Sequence, residues 1–134
     1  MIALDSSVVI ACFGSWHEHH LAARMTLEED PRLPAHAGLE AYSVLTRLPE
    51  PFRAEPDIVA EFLRRSFTSD RLLLAADDQA RLPQRLAGLG FSGGAVYDAV
   101  IGLTAVAVGA ELVTLDRRAM ANYERCSVPV RMLV

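Results

Sequence analysis

Four acids stand out by their surroundings: Asp5 at the end of MIALD, Glu40 inside LEAY, Asp98 inside AVYDAV and Asp116 at the end of ELVTLD. Glu40 and Asp98 interrupt apolar runs, yet aspartate and glutamate are seldom fully buried unless paired. No lysine exists to pair with them, because all 13 basic residues are arginine. The nearest arginine to Glu40, Arg47, lies two helical turns away. Four carboxylates gathered in one place repel one another and hold raised pKa values unless a cation joins them. A hard divalent ion such as Mg²⁺ or Mn²⁺ takes oxygen ligands and relieves that repulsion. With no His or Cys among the four, structural zinc is disfavoured. Taken singly, Asp5 and Asp116 have a plainer reading, since each precedes a helix that it can cap.

The elements that must bring these acids together can be read along the chain. Residues 2–4 form a short apolar strand, and Ser6 or Ser7 is expected to cap a helix that runs to about Phe13 and is broken by Gly14-Ser15. A second helix is expected from about Trp16 to Glu29, on the period of Leu21, Met25 and Leu27. A small strand is expected around Leu33–Pro34, then a helix through LEAYSVLTRL that stops at Pro49 and Pro51. Residues 57–67 read as a helix with Asp57 as N-cap and arginines at its end, where the helix dipole favours them. Residues 71–75 read as a strand. DDQARLPQRLAGLG is a helix that its proline kinks or splits, and the glycines of FSGGA allow a sharp turn. AVYDAVIGLTAVAVGA is the most apolar helix, and ELVTL, DRRAMANYE and VPVRMLV follow as strand, helix and strand. Strands alternating with helices predict an α/β fold, with a mainly parallel central sheet of 4–5 short strands flanked by about 7 helices. Sites in such sheets form at the carboxyl ends of strands, where Asp5 and Asp116 fall.

Composition narrows the function. The 134 residues suit a single domain, 1–134, with no repeat, linker or low-complexity tract. No apolar run reaches the roughly 18 residues of a membrane span, and no signal-peptide pattern opens the chain, so a cytoplasmic protein with no membrane partner is expected. Cys12 and Cys126 are too few for a disulfide framework and lack metal-ligand spacing. The net charge of −4 gives no hint of a nucleic-acid binder. The lack of lysine excludes a P-loop or a Schiff-base mechanism.

MIALDSSVVI, LEAYSVLTRLP and GGAVYDAVIGLTAVAVGAELVTLDRRA together resemble the PIN-domain ribonucleases, most closely the VapC-type toxins of bacterial toxin–antitoxin pairs. The likeness covers nearly the whole chain. No single motif carries it; the set does, above all the two aspartates 18 residues apart joined by an apolar helix, Gly-Ala and a strand ending in Thr-x-Asp. The resemblance implies a PIN-like domain in which Asp5, Glu40, Asp98 and Asp116 are the catalytic and metal-ligating acids, with Ser6 and Thr114 supporting them. It further implies a Mg²⁺- or Mn²⁺-dependent endoribonuclease that commonly forms a homodimer and is silenced by a cognate antitoxin. On that footing Asp5 and Asp98 are expected to hold the principal ion, with Glu40 and Asp116 ligating directly or through water. Arg117 and Arg118, directly after Asp116, are candidates for holding RNA phosphates, since a guanidinium fork matches a phosphate. Single-stranded or looped RNA is the expected substrate, because its bases can be splayed and read.

Other residues are less telling. WHEHH at 16–20 lacks the H-E-x-x-H spacing and reads as a solvated helix start or an RNA or dimer contact. GFSGGA lacks the dinucleotide fingerprint and follows no strand. The apolar residues of 57–67 and 72–74 belong either to ordinary core or to a groove for an antitoxin helix or a dimer seam. A haloacid-dehalogenase-like phosphatase needs a second Asp where Ser7 stands, and both it and a receiver domain use a lysine. The remaining alternative is a catalytically silent PIN-like module that binds RNA or protein; loss of an acid would mark it, and all four are present.

Overall fold

The computed structural model describes residues 1–134. Strand β1 (Ile2–Leu4) leads into α1 (Ser6–Phe13), and after a turn come α2 (His20–Thr26) and a 3-10 turn at Leu27–Glu29. Helices α3 (Ala35–Thr46), α4 (Pro56–Ser66), α5 (Ala76–Ala80), α6 (Leu82–Gly88) and α7 (Ala95–Ala107) follow. The chain closes with β2 (Glu111–Thr114), α8 (Arg117–Arg125) and β3 (Val130–Met132). The strands pair in the order β1-β2-β3, all parallel, with Leu4 opposite Val113 and Thr114 opposite Met132. The carboxyl ends of β1 and β2 therefore lie side by side, and the loops that carry Asp5 and Asp116 leave from one edge.

Five parallel segments do cross the molecule, but the two beyond β1 are joined by single bridges and are not strands. Ala3 bridges to Arg32, and Pro34 to Leu72. The strands expected around Leu33–Pro34 and over 71–75 are reduced in this way because Pro31 and Pro34 have no N–H to donate, so no ladder can extend through them. There are eight helices, in line with the expected number of about seven, and a 3-10 turn besides. The extra helix arises where Pro83, at the start of α6, splits the 77–90 segment at Arg81.

Three local expectations are also decided. Of the caps that the sequence allowed for α1, Asp5 takes the role and Ser6 or Ser7 does not. The second helix starts at His20 instead of Trp16, and its apolar period misled because Leu21 and Met25 face solvent while Ala23 and Thr26 are buried. In α4 the cap position is Glu55, with Pro56 in the first turn, and Asp57 lies inside the helix; proline's fixed φ suits that first turn.

A cluster of 26 buried residues joins the sheet to α1, α3 and α7. Helix α7 is apolar nearly all round, as suits a helix enclosed by neighbours, and it buries Ala99, Ile101, Leu103, Thr104 and Ala105. Gly93 turns the chain into α7 at φ +60, a conformation that glycine adopts without a Cβ penalty. That turn sets the first helical turn of α7, and with it Asp98, against the sheet edge. No helix is long and apolar enough to cross a membrane.

Candidate active site

Asp5 is the buried centre of the site, only 2 % exposed. Its Oδ1 accepts from the backbone N–H groups of Ser7 at 3.1 Å and Val8 at 3.3 Å, and from Ser7 Oγ at 2.5 Å. Its Oδ2 accepts from Thr114 Oγ1 at 2.5 Å and Tyr123 Oη at 2.9 Å. The plain capping role and a place in the site thus fall on one side chain. Burial pushes the Asp5 carboxyl above the ordinary carboxylate range, against the hydrogen bonds from Ser7, Thr114, Tyr123 and Val8 that pull it down. Tyr123 in turn is pushed up by burial and by the Asp5 charge, so it stays a phenol and donates.

Glu40 comes from α3 and accepts a 2.5 Å hydrogen bond from Ser6 Oγ on α1. Its other oxygen lies 3.5 Å from His36 Nε2, one turn back along α3. His36 stacks on Tyr97 of α7, with centroids 5.4 Å apart and planes 6° from parallel, so α3 and α7 meet beside the acids. Asp98, in the first turn of α7, accepts from Asn122 Nδ2 of α8 at 2.9 Å. Burial raises the Asp98 carboxyl, Asn122 lowers it, and the charges of Glu40 and Asp116 raise it further. Those charges act only at short range in a shared site. Asp116 caps α8 by accepting from Arg118 N at 2.9 Å, and its own N–H is held by Thr114 Oγ1 at 3.0 Å.

Thr114 thus ties both strand-end acids, and Ser6 holds Glu40. Three partners escaped the reading of the sequence: Ser7, Asn122 and Tyr123. Ser7 had a signal, since a hydroxyl two residues after a capping Asp can donate back to it. Nothing in the sequence pointed to Asn122 or Tyr123, which lie on a polar helix far along the chain. Arg117 and Arg118 are exposed beside Asp116, and no arginine pairs with any of the four acids.

Four carboxylates with no arginine among their partners, and only His36 beside Glu40, all offer oxygen and suit a hard divalent cation. They stand apart rather than closing into a cage, since no three His, Cys, Asp or Glu side chains converge at ligand spacing. That openness fits Mg²⁺, which retains several waters and needs one or two carboxylates. It does not fit a closed zinc site.

The same carboxylates fall within a known sequence pattern. The family model of the PIN domain matches residues 2–125, from β1 through α8. The chain belongs to the PIN-domain family. Within it the chain is of the VapC type: it is 47% identical to Ribonuclease VapC40 of Mycobacterium tuberculosis over 133 residues, 99% of each chain. Ribonuclease VapC27 of the same species is 40% identical over 130 residues, 96% of this chain and 94% of that relative.

The raised carboxyls of this PIN domain give a pH signature. A folded acid with a raised pKa holds its proton longer than the unfolded chain does, so its contribution to stability falls as pH rises from the unfolded value near 4 through the folded one. Without metal, Asp98→Asn is expected to gain stability over the parent chain as pH rises through that window and to match it below about pH 4. Added Mg²⁺ should reverse the order near neutrality. Thermal melts of both chains across pH, with and without Mg²⁺, measure it; a difference independent of pH would refute the shift.

Proposed function

We propose that this PIN domain is a Mg²⁺- or Mn²⁺-dependent endoribonuclease toxin, restrained in the cell by a cognate antitoxin. The observation that carries the reading is the set of four carboxylates, drawn from two helices and two strand ends, with no arginine or lysine to neutralise them. The ribonuclease names of the two relatives support it. A divalent ion held there supplies an acidified water and a Lewis acid for a phosphoryl oxygen. Asp5 and Asp98 are the principal ligands, and Glu40 and Asp116 ligate directly or through water. Ser6, Ser7, Thr114, Tyr123 and Asn122 fix the carboxylates by hydrogen bonds, as outer partners of ligands do. Arg117 and Arg118 hold phosphate on the substrate side. One carboxylate takes the proton of the attacking water, and the leaving oxygen ends as an alcohol.

The whole chain acts as one domain, in the cytoplasm, and as a homodimer. Its antitoxin seat is the apolar groove of about 440 Å³ between α3 and α4, lined by Leu33, Gly38, Leu39, Tyr42, Ala60 and Leu63. Leu39 on its rim is 65 % exposed, as an uncovered docking face would be, and an amphipathic helix laid in a groove fits that form.

The purified chain, freed of antitoxin, is expected to cut total cellular RNA into discrete fragments with Mg²⁺ or Mn²⁺, and to leave it intact with EDTA. Mapping the cut ends would give the target. Fragments that persist in EDTA would overturn the metal requirement, and intact RNA under either ion would favour a silent binding module.

A further inference from the structure

The edge of the site beyond Asp116 opens into a cleft of about 660 Å³. Ser7, Asp116, Arg117 and Arg118 form one wall, and His17, Glu18 and His19, from the turn between α1 and α2, form the other. The WHEHH segment therefore leads into α2 at His20 and lies close to the acids. From this cleft a row of rings runs outward over the surface. His19 and His17 have centroids 5.8 Å apart, His17 and Trp16 5.9 Å, and Trp16 and Phe52 5.4 Å. Trp16 is 43 % and Phe52 46 % exposed, so neither is spent on the core.

The rings are also held in place. The indole packs against Gly14, where a Cβ would stand 2.7 Å from it, so only glycine leaves room for that packing. His17 Nδ1 accepts from the backbone N–H of His19 at 3.0 Å, which fixes the imidazole. Burial and the neighbouring His19 lower the His17 pKa, with Glu18 acting the other way, and a neutral ring stacks without the solvation cost of a charge.

Resting on the nuclease reading, we propose that single-stranded RNA lies along the row Phe52–Trp16–His17–His19, its bases stacked on the rings, and that Arg117 and Arg118 draw its backbone into the cleft toward the carboxylates. Aromatic platforms beside a cationic lip are how proteins hold single strands with little regard to sequence. A duplex keeps its bases stacked on one another and offers no faces to these rings. The continuity of the row with a cleft walled by Asp116 and two unpaired arginines selects RNA over a protein partner, whose contacts would not need to end at the acids.

Trp16 is the only tryptophan in the chain, so its fluorescence reports the contact directly. The Asp98→Asn chain, kept in EDTA so that cleavage is not expected, is titrated with an oligouridylate of about ten nucleotides. The emission is expected to quench to saturation, and a blunt RNA duplex of equal length to leave it unchanged. Phe52→Ala should weaken binding about tenfold, the loss of one stacked base. Gly14→Ala, which pushes the indole aside, should reduce the quench in a chain that melts like its parent. Arg117→Ala with Arg118→Ala should lower the slope of log affinity against log salt by about 1.4. No quench, or an affinity untouched by Phe52→Ala, overturns the proposal. If the parent chain still cuts RNA with metal, only the row is wrong and it serves a protein contact. A saturating quench beside a parent chain that cuts nothing would instead sink the nuclease reading and leave the row as an RNA-binding surface.

Discussion

Asp98→Asn is expected to lower metal-dependent RNA cleavage roughly a thousandfold, about 4 kcal/mol of transition-state stabilisation, while the chain stays folded. The substitution keeps the side chain's volume and the hydrogen bond from Asn122, because the amide oxygen can accept it as the carboxylate does. It removes only the charge. That charge sits where Glu40 and Asp116 already oppose it, an arrangement that costs free energy unless a cation is bound between them. Losing it weakens the ion's hold and its ability to stabilise charge on the phosphoryl group. At subsaturating Mn²⁺ the parent chain should show an acid limb in its rate–pH profile above the ordinary carboxylate range, because the ion must displace a proton that burial makes Asp98 hold, and the limb should move down as Mn²⁺ approaches saturation. Single-turnover rates at limiting and at saturating Mn²⁺, beside circular-dichroism melts, test both. A loss below tenfold would remove Asp98 from the ligand set.

Much of this site was written locally. A strand-end aspartate that caps the next helix is a short-range pattern, and Asp5 and Asp116 follow it. Glu40 and Asp98 betrayed themselves by interrupting apolar faces. What failed to show depended on geometry that no window contains. Tyr123 reaches Asp5 across 118 residues, and Asn122 reaches Asp98 from the same turn of α8; both look like ordinary surface of a polar helix. The helical period of 16–29 misled for a different reason, since Leu21 is 79 % exposed and apolarity there does not report burial. The turn at 16–19 is instead set by a side chain, with His17 taking the N–H of His19, a local competitor that periodicity ignores. The truncated outer strands follow from prolines, which a tally of β-formers undercounts. WHEHH lacked a recognisable metal pattern, yet the fold brings His17 and His19 to the cleft beside Asp116, which spacing along the chain could not disclose.

Asp5→Asn and Asp5→Ala are expected to separate folding from chemistry at the most buried acid. Both should abolish cleavage, since neither ligates as a carboxylate. Their stabilities should diverge. In the Asn variant the amide oxygen takes the place of Oδ1, the only orientation that still accepts the fixed N–H groups of Ser7 and Val8. The amide nitrogen then faces Thr114 Oγ1 and Tyr123 Oη, hydroxyls that can turn to accept. Their displaced protons cost something, and the lost burden of a buried charge offsets it, so the Asn chain should lie within about 1 kcal/mol of its parent. The Ala variant has no such exit. It loses the cap of α1, about 1 kcal/mol, and strands the hydroxyls of Ser7, Thr114 and Tyr123 without their acceptor, at about 1–3 kcal/mol for each left unsatisfied. Those terms reach about 4–10 kcal/mol, relief of the buried charge and hydroxyls that find other acceptors take part of it back, and a total loss of about 3–5 kcal/mol is expected. Urea unfolding of the three chains at neutral pH without metal decides it. An Ala chain as stable as the Asn chain would mean that water enters and satisfies those hydroxyls, and that Asp5 is held for chemistry alone. The expected gap would instead make one carboxylate both the cap of α1 and the acceptor that ties β1, β2 and α8 together, placing the chemistry at the junction that the fold most needs to close.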